Sequence, residues 1–178
     1  IRAQLAKKKH SSGTASGKVV SFIKSSGGIG ATALMTQLGI GFAEKEAKAG
    51  REICLIDLDV QFGDAAFQLG MRPSHSIFDL VDASGRLDSD LLRATTSVHS
   101  SGLHIVAAPS EMMPLDSLSS EHLIEVVEFA AREFGTVFLD LPSNWTNWSL
   151  SLLARSDLVV LLTELSISSL HRAKRQLE

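Results

Sequence analysis

The sequence predicts an open α/β sheet, mostly parallel and doubly wound, with helices on both faces. Three features carry that prediction: short apolar runs of strand length, helical patterns between them, and a glycine-rich loop that joins the first run to a long helix. The runs are apolar continuously rather than alternately, the pattern of strands buried on both faces.

Residues 1–17 contain Lys7, Lys8, Lys9 and His10 followed by Ser, Gly and Thr, too polar a composition to bury a core, and are expected to form a linker or tail. From Lys18 the texture changes. A strand is expected over 19–23, a helix over about 30–48, and further strands at 53–57, 103–107, 137–141 and 158–163. Amphipathic helices are expected at 88–95 and 121–134. The final segment, 166–178, reads as a helix with Leu170, Ala173 and Leu177 on one face and His171, Arg172, Lys174 and Arg175 mostly on a solvated one. No capping glycine or further strand follows it, so the domain, 18–178, is expected to be C-terminally truncated with its last strands missing.

A length of 178 residues, 44% of them hydrophobic and 21% charged, accommodates one soluble globular core and no second full domain. The formal net charge of -3 argues against coating nucleic acid through bulk positive charge, so no specific nucleic acid is expected. No apolar run approaches the ~20 residues of a membrane-spanning helix, and no secretory signal pattern opens the sequence, so the chain reads as cytoplasmic. Cys54 sits in an apolar run and reads as a core thiol. The histidines lack metal-ligand spacing, and no G-x-S-x-G elbow presents a serine nucleophile. Trp145 and Trp148, three apart, fall near one face of a helix start, where packing is favoured over partner binding. Met112 and Met113 read as a surface loop.

Ser26, Gly27, Gly28, Ile29, Gly30, Ala31, Thr32 and Ala33 lie between strand and helix, where glycines let backbone N–H groups turn toward a phosphate at the helix N-terminus. Two nucleotide classes compete for such a loop. Residues 28–33 also satisfy G-x-G-x-x-A, a dinucleotide fingerprint, with Asp57 as the ribose acid and an NAD-dependent oxidoreductase as the implied function. The four residues between the strand and Gly28 lengthen the loop toward one that wraps a mononucleotide triphosphate. Asp57 and Asp59, two apart where strand becomes loop, and Asp140 at the end of a later strand favour the mononucleotide, because a dinucleotide site requires one acid. An oxidoreductase also lacks a catalytic Tyr-Lys pair, since the sequence contains no tyrosine.

These blocks, G-G-I-G-A-T at 27–32, D-L-D-V-Q-F-G-D at 57–64, D-L-P at 140–142 and S-D-L-V-V-L at 156–161, stand in the order found in deviant-Walker P-loop proteins of the MinD/ParA superfamily. In detail the chain resembles the CpaE/TadZ branch associated with the Tad (Flp) pilus. The resemblance implies ATP or ADP with Mg²⁺ as cofactors: the glycines shape the phosphate loop, Thr32 and Asp140 hold the metal, Asp57 supports its outer shell, and Asp59 positions the attacking water. It also implies a positioning factor for pilus assembly, a nucleotide-dependent homodimer, docking to Tad components, and recruitment to the cell pole or the inner membrane face. The segment after Thr163 would approach the adenine.

Active ATPases of that superfamily carry lysines at the positions of Ala31 and Ser26. Loss of one charge-assisted hydrogen bond costs about 1.5 to 3 kcal/mol, roughly tenfold to a few hundredfold in affinity. Binding is expected to survive and hydrolysis to be slow or absent, because both loop cations are missing. Lys24 stands close enough to substitute, although a strand-end lysine reads first as solvated. A true partitioning ATPase on DNA or membrane is the rival within the fold.

Overall fold

The computed structural model describes residues 16–83 and 85–178; residues 1–15, most of the expected linker, and Ser84 lie outside the described residues. Six strands form one sheet: β1 (Lys18–Lys24), β2 (Ile53–Asp57), β3 (Ser97–Val98), β4 (His104–Val106), β5 (Thr136–Asp140) and β6 (Leu158–Leu162). Their order across the sheet is β3-β4-β2-β5-β1-β6, parallel throughout except for the antiparallel β3–β4 edge. The α/β prediction holds.

All five residues of β2 are buried, the apolar run Ile53–Ile56 and the Asp57 that ends it, and the pleat sends alternate side chains to opposite layers. Cys54 and Ile56 join Val137 and Leu139 of β5 in one apolar cluster, while Ile53 and Leu55 join Phe138 in the other. The first cluster is closed by helices α3 (Ile77–Asp82), α4 (Ser89–Thr95), α5 (Ser120–Glu133) and α6 (Asn147–Leu153). The second is closed by α1 (Ala31–Ala47) and the short α2 (Ala65–Gln68), with Met35 and Ala43 of α1 facing inward. Cys54 is fully buried, and burial pushes its thiol pKa upward beyond the range in which it would ionise.

Several elements differ from the sequence reading. Helices α2 and α3 and strand β3 are too short for their periodicity to register, although Ser76 and Asp79 spell a capping box that does form at α3. Ser16 and Gly17, counted with the linker, bond to Ala131 O at 3.3 and 2.6 Å and so rest on α5. Helix α7 (Ile167–Leu177) turns Ser169 and Ala173 inward and leaves Leu177 exposed, so its packed face is small and polar rather than the expected apolar stripe. The two tryptophans part company. Trp148 is buried and donates Nε1–H to Leu115 O at 2.8 Å, which fits the packing reading, whereas Trp145, ahead of the Thr146 cap, is 41% exposed. Met112 is exposed as expected, but Met113 packs against the core. Among the described residues no helix is long and apolar enough to cross a membrane.

Trp148→Ala is therefore expected to lower stability by about 3–5 kcal/mol, the range for emptying a large aromatic core site, while Trp145→Ala stays much nearer neutral. Urea denaturation midpoints of the two variants check the split.

Candidate functional site

The phosphate-loop candidate begins where β1 ends. Ser25 N–H donates to Leu162 O at 2.9 Å, which fixes the loop's first residue against β6. Gly28 and Gly30 have φ of 78° and 83°, a left-handed backbone that side chains rarely tolerate. A Cβ at Gly27, Gly28 or Gly30 would meet nothing within 4 Å, so Gly28 and Gly30 shape backbone rather than fill a tight contact, and Gly27 shows neither constraint. Gly30 caps α1 without a side-chain hydrogen bond, and no acid stands in the first turn; α5 and the four-residue α2 also lack a side-chain cap, but α5 has Glu121 in its first turn, and Ser76, Asp88, Thr146 and Ser166 cap α3, α4, α6 and α7. The positive end of a 17-residue helix is thus left to an anion, which its first amides and its dipole favour. Gly27, Gly28, Gly30 and Ala33 are exposed, Ser26, Ile29 and Thr32 half-buried, and Ala31 buried.

Beside this loop stand the carboxylates. β5 lies between β1 and β2, with Asp140 in register with Phe22 on one side and Asp57 on the other. Thr32 Oγ1 donates to Asp140 Oδ2 at 2.6 Å, which joins the first turn of α1 to the end of β5. Asp57 accepts Asp59 N–H and Ala65 N–H on its two oxygens, both at 3.1 Å, and so anchors the loop that leaves β2. Asp59 accepts Phe62 N–H at 3.2 Å on one oxygen and Lys24 Nζ at 3.0 Å on the other.

Lys24 corrects the sequence reading: it is 9% exposed rather than solvated, and its ammonium also lies 3.8 Å from Asp140 Oδ1. A strand-end lysine surrounded by Asp57, Asp59 and Asp140, each at most 6% exposed, folds inward because three buried acids need a cation. Burial alone would lower the Lys24 pKa, but Asp140 and Asp59 outweigh it and raise the value. Burial, then the neighbouring Asp140, pushes Asp57 up to about 8, against its two backbone hydrogen bonds. Asp140 is also raised by burial, with Lys24 and Thr32 pulling the other way.

Asp140 Oδ1 is buried and has no hydrogen-bond partner. Thr32 Oγ1 and this carboxylate form the oxygen donor set that suits Mg²⁺, which takes one or two carboxylates together with phosphate oxygens and water. Among the described residues no cluster of three Asp, Glu, His or Cys side chains is arranged to hold a metal ion. The residues thus fit an ion that arrives with phosphates better than a bare one.

Two supports of the site escaped the sequence reading. A Cβ on Gly63 would fall 2.6 Å from both Asp57 Oδ1 and Asp59 O and against the Ala108 Cβ, so the final glycine of the D-L-D-V-Q-F-G block is there for close approach. The second is the C-terminal segment. Ser26 Oγ lies 3.3 Å from Ser169 Oγ, which donates to Glu164 Oε1 at 2.9 Å; Ser25 Oγ donates to Thr163 Oγ1 at 3.0 Å; and Gln176 Nε2 donates to Lys24 O at 3.2 Å. Sequence separations of more than 130 residues hide such contacts from any local pattern.

No protein-family model matches the chain, and no curated protein matches it significantly. Solved structures do. A ParA family ATPase from Chlorobium tepidum TLS superposes with a TM-score of 0.79 at 23% identity, covering 90% of this chain and 65% of that one. The septum site-determining protein MinD complexed with Mg-ADP, from Pyrococcus horikoshii OT3, gives 0.72 at 17%, covering 90% and 63%. The chain has the MinD/ParA fold. Cobyrinic acid a,c-diamide synthase from Mycobacterium smegmatis, with bound ATP analog and magnesium, gives 0.65 at 19%, covering 90% and 68%. The chain therefore spans about 65% of the ParA structure's length. Within the MinD/ParA fold the strand order also bears on the nucleotide class. In a dinucleotide fold the second strand lies beside the first and brings its acid to the ribose, whereas here β5 intervenes and puts Asp140 next to the loop.

Gly63→Ala is expected to displace Asp57 and lower the melting temperature by several degrees, as overpacking against backbone costs about 1–3 kcal/mol. Differential scanning calorimetry reads it directly. Asp57 also predicts a pH dependence. Its folded pKa of about 8 lies above its reference of 3.8, so the folded state holds a proton that the unfolded state has released between those values. This group's contribution to stability accordingly declines as pH rises from about 4 to about 8. Melting temperatures across that interval are expected to fall less steeply for Asp57→Asn, which has no such proton, than for the parent.

Proposed function

We propose that this chain binds ATP or ADP with Mg²⁺ at the ends of β1, β5 and β2 and acts as a nucleotide-dependent positioning factor for Tad (Flp) pilus assembly, with slow or absent hydrolysis. The observation that carries the nucleotide reading is the uncapped start of α1 beside the Thr32–Asp140 pair, whose second carboxylate oxygen has no partner. The nucleotides and magnesium named for the MinD and cobyrinic acid synthase structures support it. In this reading the amides of residues 28–32 hold the phosphates, Thr32 and Asp140 face the metal, and Asp57 keeps the β2 loop in place.

Asp59 is the candidate for orienting water, but its carboxylate is engaged by Lys24 and the Phe62 amide. With no lysine at Ala31 or Ser26, little positive charge remains to stabilise phosphoryl transfer, which is catalysed mainly by positioning and charge. Occupancy rather than turnover then becomes the signal. A homodimer that forms with nucleotide, contacts with pilus components, and recruitment to the pole or inner membrane face follow from the CpaE/TadZ resemblance of the D-L-D-V-Q-F-G-D block.

Calorimetric titration with ATP and Mg²⁺, followed by a phosphate-release assay, tests the reading; heat of binding with little release is expected, and no uptake at millimolar nucleotide would sink it. Ala31→Lys should tighten binding by tenfold or more, the worth of one charge-assisted hydrogen bond. Chelating the metal should abolish measurable binding, because the buried Asp59 and Asp140 would then face the phosphates with Lys24 alone paired to them among the described residues.

A further inference from the structure

Lys24 presents a feature that nucleotide binding alone leaves unexplained. Its ammonium is held 3.0 Å from Asp59 Oδ2 and 3.8 Å from Asp140 Oδ1, the latter too far for a hydrogen bond and aimed at the buried oxygen without a partner. The lysine therefore sits between two carboxylates as a small cation would. Its backbone is pinned at this place: Gln176 Nε2 donates to Lys24 O, and Ser25, the next residue, is tied to β6 and to Thr163. Any displacement of the ammonium would therefore come from the side chain, not the backbone. Lys24 is also the sole basic residue between positions 19 and 44, so no loop cation competes with it for either the acids or an anion over α1.

We propose that Lys24 is a tethered counter-ion that occupies the cation position between Asp59 and Asp140 and bars a free divalent ion from that pair. Entry of the metal then requires a nucleotide, whose phosphates give the displaced ammonium a new partner over the adjoining loop; this second half rests on the nucleotide reading, the first half does not. Asp59 and Asp140 outnumber the one ammonium, so a divalent ion is attracted, yet it must first dislodge an ammonium that is covalently attached and loses little entropy by staying. An exposed ion pair would exert no such control. Here both lysine and acids are about nine-tenths buried or more, and a buried pair broken without replacement is strongly unfavourable. The consequence is linkage: metal and nucleotide each bind poorly alone and well together.

The test is Mn²⁺ titration of the chain, followed by loss of the free aqua-ion signal in electron paramagnetic resonance, without nucleotide. Lys24→Gln is expected to bind Mn²⁺ at least tenfold more tightly than the parent. Because that change also makes the cluster one charge more negative and strips a buried pair, Lys24→Gln with Asp64→Asn is measured beside it: removing the exposed Asp64 charge that acts on Asp140 restores the parent's net charge and keeps Asp59 and Asp140. Tighter Mn²⁺ binding by this double variant supports the counter-ion; affinity equal to or below the parent's in a folded double variant overturns it, as does tight Mn²⁺ binding by the parent itself. A parallel titration of the parent with Mg-ADP separates the two ideas. Failure there with a gain of Mn²⁺ affinity in the variants removes the nucleotide reading and leaves the counter-ion standing, and the opposite pattern removes the counter-ion alone.

Discussion

Because β5 is inserted between β1 and β2, three strand ends from distant parts of the chain deliver Lys24, Asp140 and Asp57 to one edge of the sheet. Parallel strands make this automatic, since all their C-terminal ends point the same way and the helices leave from the same edge. Thr32 then reaches Asp140 from the first turn of α1, and Asp59 reaches Lys24 from the loop after β2. Remove the insertion and the glycine loop would face the acid of β2 alone, which is the geometry of a dinucleotide site.

The same arrangement sets an electrostatic problem that the neighbouring residues solve unequally. Asp57 is compensated by two backbone amides, and the close approach of Gly63 keeps the loop that supplies one of them tight against it. Asp59 is compensated by Lys24 and an amide. Asp140 receives a hydroxyl on one oxygen and only a distant ammonium on the other. The least satisfied acid is thus the one beside the uncapped helix, where a ligand's cation would stand. Buried polar atoms are almost always paired, so an unpaired one at a sheet edge points to function more than to packing.

What the sequence made legible was local or periodic. The glycine loop, the apolar run of β2 and the D-L-D spacing are local patterns, and the structure places them where strand and loop grammar says. From its own sequence neighbours Asp140 is legible as a strand-end acid, and only the family resemblance sets it beside Thr32; that adjacency depends on strand order, which parallel crossovers favour without fixing. Lys24 reads as solvated because solvation is the default for a lysine considered by its neighbours in sequence, and Asp59 and Asp140, the acids that pair with it, lie 35 and 116 residues away. Helix α7 misled in the same way. Its leucines suggested an apolar face, but its real contacts are Ser169 with Ser26 and Gln176 with the Lys24 carbonyl, polar bonds across the whole chain.

Those polar bonds bear on how a loop without its usual cations keeps its shape. In a lysine-bearing loop, ammonium groups draw the phosphates in. Here Ser26 turns its hydroxyl to Ser169 and thence to Glu164, and Ser25 turns to Thr163, so the N-terminal half of the loop is held from the β6–α7 side. The C-terminal half is held by Thr32 through Asp140. Between these anchors only Gly27, Gly28, Ile29 and Gly30 remain to adapt, and two of them already have the left-handed backbone that a turned amide requires. A loop preorganised at both ends loses less conformational freedom when an anion docks, which partly offsets the missing charge. The fold thereby replaces attraction with geometry, a substitution that preserves binding better than catalysis, because amides that fit a bound phosphate do not supply the extra charge that its transition state demands.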